Sequence, residues 1–233
     1  MQETPAPGHE HEAAMTPPTD LALAGLDTLS DLSERVIQWA SPERAYVTEL
    51  VRLFALKSGD RLLDVGCGSG DLLAMAASRE AGAVLVGIDP DEDALELASH
   101  KILGTIRAAE LHQGLAQQLP FDDECFDIVS ATRLLGGLDP RARAQVLREC
   151  WRVLRPGGRL LVADWVEEPQ GIEALISYPW RLVRDIFFAD AGGAPTVAEA
   201  ITIARFHPPE PRTRFRTVVG MIEILEAFKP LQT

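Results

Sequence analysis

The apolar positions of this chain follow two periods in turn, and their alternation predicts the architecture. Residues 1–20 show neither: proline, acidic and small residues dominate, which predicts a disordered tail. From Leu21 the pattern becomes helical, broken near Gly25 and again at Ser41-Pro42. A capping hydroxyl, a proline and Glu43 mark a helix start there. That helix runs through Tyr46, Leu50, Val51, Leu53 and Phe54, and Lys57-Ser58-Gly59-Asp60 stops it. Short apolar runs at 61–65, 83–88, 109–112, 126–130 and 159–163 then alternate with amphipathic stretches at 72–79, 91–102 and 140–154. On the helix from Asp91, residues Ala94, Leu95 and Leu97 are expected to face inward. Strands alternating with helices predict an α/β fold, a Rossmann-like doubly wound sheet, mostly parallel, with helices on both faces.

Past Asp164 the regularity breaks. Gly171 to Ala191 reads as one or two helices, whose Trp180, Phe187 and Phe188 would line a hydrophobic acceptor pocket or form the cap's own core, and Thr196 to Arg205 reads as another. His207 to Pro211 is a turn-rich linker. Arg214 to Val219 and Met221 to Phe228 flank Gly220, and their position favours an antiparallel hairpin, although propensity also permits a helix in the second run. The expected organisation is a tail (1–20) and one domain (21–233). Within that domain, 42–165 form the core, 166–212 a cap or insertion and 213–229 the closing hairpin.

Composition narrows the picture without redrawing it. Hydrophobic residues make up 46% and charged residues 24%, as in a globular protein. The formal charge of −13 argues against wrapping duplex nucleic acid, since phosphate neutralisation needs excess Lys and Arg. Cys67, Cys125 and Cys150 are too scattered for a disulfide framework or a zinc site, which predicts a reduced, cytoplasmic setting. No apolar run approaches the ~18 residues of a membrane span, and the first residues lack a secretory signal pattern. The alternation His9-Glu10-His11-Glu12 has no supporting shell and reads as solvated tail, so no metal is expected.

The chemistry-bearing feature is Leu62-Leu63-Asp64-Val65-Gly66-Cys67-Gly68-Ser69-Gly70-Asp71. Glycines at alternate positions after a strand let the backbone turn tightly and approach a ligand. Asp89 ends the next strand, roughly 20 residues past the last glycine, where an acid accepts ribose hydroxyls. Dinucleotide sites prefer G-x-G-x-x-G; here the spacing is G-x-G-x-G, and Asp64 and Asp71 would repel a pyrophosphate while suiting a cation.

These residues resemble the first motifs of class I S-adenosylmethionine (SAM)-dependent methyltransferases. The likeness continues through Gly114 to Phe121, Phe126-Asp127-Ile128-Val129 and Cys150 to Leu160, covering roughly residues 42–165. It is nearest to quinone-biosynthesis C-methyltransferases and related small-molecule enzymes. The resemblance implies SAM as cofactor, with S-adenosyl-L-homocysteine as product. Asp64, Gly66, Cys67, Gly68 and Gly70 would hold the methionine end. Asp89 would hold the ribose, with Pro90, Ala116 and Gln117 edging the adenine. Ser130 and Ala131 would face cofactor and acceptor, and Tyr46 would either lid the site or pack in the core. Two departures stand out: Leu115 replaces the acid many relatives carry after Gly114, and 134–139 (Leu-Leu-Gly-Gly-Leu-Asp) lacks their histidine.

Asp164, at the end of the fifth strand, is the positional candidate for a catalytic base, or else a cap or ion-pair partner. His207 would reach the site only if the cap folds over it. Arg212, Arg214 and Arg216 alternate, so on a strand they would share one face, either as a solvated edge or as an anionic or membrane-surface contact. The leading expectation is methyl transfer to carbon or oxygen of a small, apolar or aromatic acceptor. RNA methylation and a non-catalytic SAM-binding role are the alternatives.

Overall fold

The computed structural model describes residues 42–79, 82–103, 105, 109–167, 195–217 and 220–231. In chain order the elements are α1 (Pro42–Phe54), β1 (Arg61–Val65), α2 (Asp71–Ala77), β2 (Val84–Asp89), α3 (Glu92–Leu103) and β3 (Glu110–Gln113). There follow β4 (Phe126–Thr132), a 3₁₀ turn (Leu135–Gly137), α4 (Pro140–Val153), β5 (Leu154–Glu167), α5 (Val197–Ile203), β6 (Glu210–Thr217) and β7 (Gly220–Phe228). The seven strands form one sheet in the order β3-β2-β1-β4-β5-β7-β6. β1 to β5 run parallel, and β7 is antiparallel to both its neighbours. This is the expected doubly wound sheet, and the run 221–228 is the strand of a hairpin.

Strand residues alternate between two buried layers, which is why the strands read as nearly continuous apolar runs. Leu62, Leu85, Ile128, Leu161, Ile222 and Ile224 pack with Tyr46, Leu50 and Phe54 of α1 and Leu73 of α2. Leu63, Val65, Val86, Val129, Leu160 and Val162 pack with Leu147 and Cys150 of α4 and Ile201 of α5. Because β1 lies between β2 and β4, successive connections leave it in opposite directions. A crevice therefore opens at the carboxyl ends of these three strands.

Three details depart from the sequence reading. On α3 the buried residues are Ala98 and Ile102, with Leu95 packed against them, while Leu97 is 56% exposed. Asp91 caps this helix by accepting from the Asp93 and Ala94 N–H groups, and the inward stripe runs 95, 98, 102 at i, i+3, i+7. Leu97→Gln should therefore leave stability within about 0.5 kcal/mol of the parent; a loss above about 1.5 kcal/mol in urea unfolding would mean that the leucine is covered.

β5 is longer than the expected 159–163 at both ends: Leu154 already pairs with Phe126 of β4, and pairing with β7 carries the ladder on to Glu167. The third departure concerns the arginines of β6. Pro211 opposes Leu225 and Thr213 opposes Ile224, so Arg212 is the extra residue of a bulge. Arg212 bonds Glu226 at 2.7 Å and Arg214 bonds Glu223 at 2.7 Å. Glu223 and Glu226 are an odd number of residues apart on β7, so the two arginines serve opposite faces. β6 is the edge strand, as one reading held, but its described arginines are ion-paired to β7.

α5 begins with a capping box: Thr196 Oγ1 accepts from the Glu199 N–H and the Glu199 carboxylate accepts from the Thr196 N–H. The tail 1–20, the His9–Glu12 tract and the helices expected over 171–191 with Trp180, Phe187 and Phe188 lie outside the described residues.

Candidate active site

The crevice is floored by the loop from Gly66 to Gly70. Gly66, Gly68 and Gly70 have φ of +72°, +49° and +75°, which L side chains rarely adopt. At Gly70 a Cβ would also come within 2.7 Å of Ala98 Cβ, so only glycine lets the loop lie against α3. The loop's backbone is tied to β2. The Gly66 and Cys67 N–H groups donate to Ile88 O (2.8 and 3.1 Å), and the Gly68 N–H donates to Asp89 Oδ2 (2.8 Å). Asp89 Oδ1 accepts from the Asp91 N–H at 3.0 Å, so one carboxylate fixes both the glycine loop and the start of α3. Pro90 follows it, and its carbonyl accepts from Gln113 Nε2 at 3.3 Å.

Asp64 lies beneath this loop and is 1% exposed. Ser130 Oγ donates to its Oδ1 at 2.7 Å, while Oδ2 has no hydrogen-bond partner. Burial pushes the Asp64 carboxyl up to about 7, the Ser130 hydrogen bond works against that shift, and the charge of Asp89 adds to it. A buried carboxylate oxygen without a partner beside a second acid is an incomplete cation site. Asp71, expected to add to this field, does not. It is exposed, and its oxygens accept from Lys101 Nζ at 2.9 Å and Ser69 Oγ at 3.0 Å, so its charge is locally matched.

The β3–β4 connection carries Ala116, which is buried, and Gln117, which is half-buried; Leu115 is 59% exposed. Its position is set by Arg152 of α4, whose guanidinium donates to Leu119 O, Phe121 O, Asp123 and Glu149. Glu149 accepts in turn from the Leu119 N–H at 2.8 Å. Cys67 and Tyr46 belong to one buried cluster, Tyr46 being 2% exposed. Burial pushes the Cys67 thiol far up, which makes it unreactive.

The wall facing the glycine loop is the turn after β4. Leu134 lies over Gly66: a Cβ there would sit 3.3 Å from Leu134 Cδ2. Asp164, 2% exposed, has both oxygens engaged by backbone: Oδ2 by the Gly136 N–H (2.6 Å) and Oδ1 by the Trp165 N–H (2.9 Å). Burial raises its pKa, opposed by these N–H groups and by Arg143. Arg143 itself was not anticipated. It is buried, and its guanidinium donates to Leu135 O (2.8 Å), Leu138 O (3.1 Å) and Pro195 O (2.8 Å). The signal was present, for Arg143 falls on the inward stripe of α4 with Val146, Leu147, Cys150 and Val153. His207 lies in the connection to β6, where its N–H donates to Phe228 O.

A cavity of about 440 Å³ opens at the amino ends of β1, β4 and β5, lined by Lys57, Asp60, Asp127, Arg155 and Arg159 among others. Asp127 and Arg155 pair across it at 2.5 Å, and it is remote from the glycine loop.

Comparison with known proteins agrees with this layout. The methyltransferase domain family matches residues 63–162. A demethylmenaquinone methyltransferase from Lactobacillus johnsonii is 36% identical over 144 residues, 60% of this chain and 57% of that protein. A ubiquinone/menaquinone biosynthesis C-methyltransferase from Xylella fastidiosa is 30% identical over 202 residues, 77% of each chain. Among solved structures, a SAM-dependent methyltransferase from Methanosarcina mazei has a TM-score of 0.59 at 24% identity, covering 76% of this chain and 95% of that one. The chain belongs to the class I SAM-dependent methyltransferases. Its relatives also include a 27-O-demethylrifamycin SV methyltransferase from Amycolatopsis mediterranei, 35% identical over 130 residues, 54% of this chain and 46% of that protein.

The residues present fit SAM. Its sulfonium and ammonium are cationic, and Asp64 presents a buried, unpartnered carboxylate oxygen. The positive-φ glycines leave the loop surface free of side-chain volume, with nothing within 4 Å of a Cβ built at Gly68. No helix among the described residues is long and apolar enough to cross a membrane.

Proposed function

We propose that this protein is a cytoplasmic enzyme that moves the methyl group of SAM to a ring carbon of a small, electron-rich aromatic acceptor of the hydroquinone type. The observation that carries the cofactor half is Asp64, whose free oxygen lies beneath a glycine loop braced by Asp89. The acceptor half rests on the likeness to quinone C-methyltransferases and on the apolar side chain of Leu134, which lies over Gly66.

When bound, SAM supplies a methyl group already activated by positive sulfur. The chain's work is then positioning and exclusion of water, which together can supply ~7–11 kcal/mol of a barrier. Asp64 would hold the cationic methionine end. The remaining lone pairs of Asp89 would accept the ribose hydroxyls, with Pro90, Ala116 and Gln117 bordering the base. Ser130 keeps Asp64 oriented toward the loop. Methylation at carbon releases one proton from the ring. A hydroquinone provides the electron push from its own hydroxyl, so this proton can leave to water without a dedicated carboxylate.

Titration calorimetry with SAM tests the first half. Asp89→Ala should weaken binding at least 30-fold, and unchanged affinity would sink the ribose assignment. Incubation with labelled SAM and a chemically reduced 3-alkyl-1,4-naphthoquinone tests the second. Label on the ring carbon is the expected result. Label on a hydroxyl oxygen, or transfer only to total RNA, would overturn the acceptor.

A further inference from the structure

The turn after β4 is held from two sides by two buried ions. Its N–H groups face Asp164: Gly136 donates at 2.6 Å, and Leu135 contributes a second backbone hydrogen bond. Its carbonyls face Arg143: Leu135 O accepts at 2.8 Å and Leu138 O at 3.1 Å. Asp164 comes from β5 and Arg143 from α4, so elements on either side converge on one short turn. The third arm of the guanidinium reaches Pro195 O, just before α5. Ion burial of this kind is expensive, and nothing in the strand register requires it.

The turn also excludes any side chain at its centre. A Cβ on Gly136 would lie 2.7 Å from Asp164 Oδ1, so the carboxylate occupies the volume a larger residue would need. Leu134, the residue that enters the turn, lies over Gly66.

We propose that Asp164 and Arg143 are a paired set of positioning residues for methyl transfer: carboxylate and guanidinium together fix the turn that carries Leu134 across the mouth of the cofactor loop. Asp164 then acts on the reaction through the turn: its Oδ2 accepts from the Gly136 N–H and its Oδ1 from the Trp165 N–H, which holds the carboxylate against the backbone it positions. Arg143 makes the same turn rigid from its carbonyl side and joins it to the approach to α5. This inference rests on the methyl-transfer reading above. It adds where the acceptor's alignment against the cofactor is set.

Three variants of the full-length protein test it: Asp164→Asn, Arg143→Lys and Gly136→Ala. Asparagine replaces one accepting oxygen with a donor. Lysine cannot span three carbonyls with a planar fork. Alanine at 136 displaces the carboxylate without removing it. Each should speed amide hydrogen exchange at Leu135 and Gly136 at least tenfold while exchange in β1 and β4 stays as in the parent. Each should keep the SAM dissociation constant within threefold, and lower kcat toward the reduced naphthoquinone tenfold or more. Unchanged exchange at the turn in all three would overturn the proposal. So would loss of activity confined to Asp164→Asn, which would make Asp164 the proton acceptor itself. The exchange rates need neither cofactor nor acceptor. A parent protein that binds SAM but never methylates the naphthoquinol would refute the acceptor reading, leaving the turn's anchoring to be decided by exchange.

Discussion

Asp64→Asn is expected to lower affinity for SAM about a hundredfold at pH 8, equivalent to about 2.7 kcal/mol. The same change should make the ligand-free protein more stable at that pH. Both effects come from a carboxylate buried to 1% exposure with one oxygen unpartnered. Its pKa of about 7, raised mainly by burial and further by Asp89, lies well above the ~3.9 of an unfolded chain. A group whose folded pKa is raised contributes its stability in acid and loses it as pH rises through the folded value. In the parent this amounts to about 4 kcal/mol between pH 4 and pH 8, an upper bound at 1.36 kcal/mol per unit. Asparagine does not titrate, so this loss is absent from the variant, whose stability gains on that of the parent as pH rises from 4 to 7.

Cofactor affinity should move the other way. A cation is held by the ionised carboxylate, so binding in the parent should strengthen as pH rises from 6 to 8, with release of a proton. Calorimetry in two buffers of different ionisation enthalpy reads that proton directly. An asparagine variant that binds SAM like the parent would remove Asp64 from the site.

The second large effect is structural. Arg159→Met is expected to destabilise the fold by about 3–5 kcal/mol. The guanidinium of Arg159 donates to Leu53 O at 3.0 Å and to Phe54 O, closing the C-terminus of α1, and pairs with Glu226 Oε1 at 3.1 Å. Glu226 has a side chain only 5% exposed, and its other oxygen is held by Arg212 at 2.7 Å. Removing Arg159 leaves a nearly buried carboxylate with one cation and strips two helix-end carbonyls of their donor. Arg212→Met should cost only about 1 kcal/mol, since that side chain is a third exposed and the deeper cation remains. Combining Arg159→Met with Glu226→Gln should recover part of the loss, because the uncompensated charge goes with it. Urea unfolding with an unchanged slope measures all three. A loss below about 1 kcal/mol for Arg159→Met would show that water replaces the guanidinium.

Much of this molecule is legible before any coordinates. Five strands, the glycine loop and Asp89 follow from period and spacing, because parallel strands with helices on both faces bury nearly every residue and leave long apolar runs. What escaped the sequence depends on partners far along the chain. Asp71 looked like part of a cation site, yet Lys101, on the next helix, matches its charge. Arg212 and Arg214 looked like one face until a bulge separated them, and a bulge changes no residue type. Leu97 was assigned inward because it is apolar, although the stripe that α3 buries passes through Ala98. Arg143 is not legible from residue type, because an arginine on a helix is ordinarily solvated. Its position on the apolar stripe of α4 was the clue.

The position of β7 has a consequence for how the chain is made. It follows every other strand in sequence yet lies between β5 and β6, pairing with Arg159 to Glu167 on one side and Glu210 to Thr217 on the other. A ribosome that has released everything up to Arg205 has therefore produced a sheet with a raw flank at β5, where Val162 and Ala163 still lack Leu225 and Ile224 beside them. Lys229, whose ammonium reaches Leu154 O at 2.7 Å and lies 4.0 Å from the centre of the Trp151 ring, locks the flank only after β7 has docked. Nascent chains halted before Phe228 should thus be the species that chaperones hold and proteases clear, however complete the cofactor loop already is.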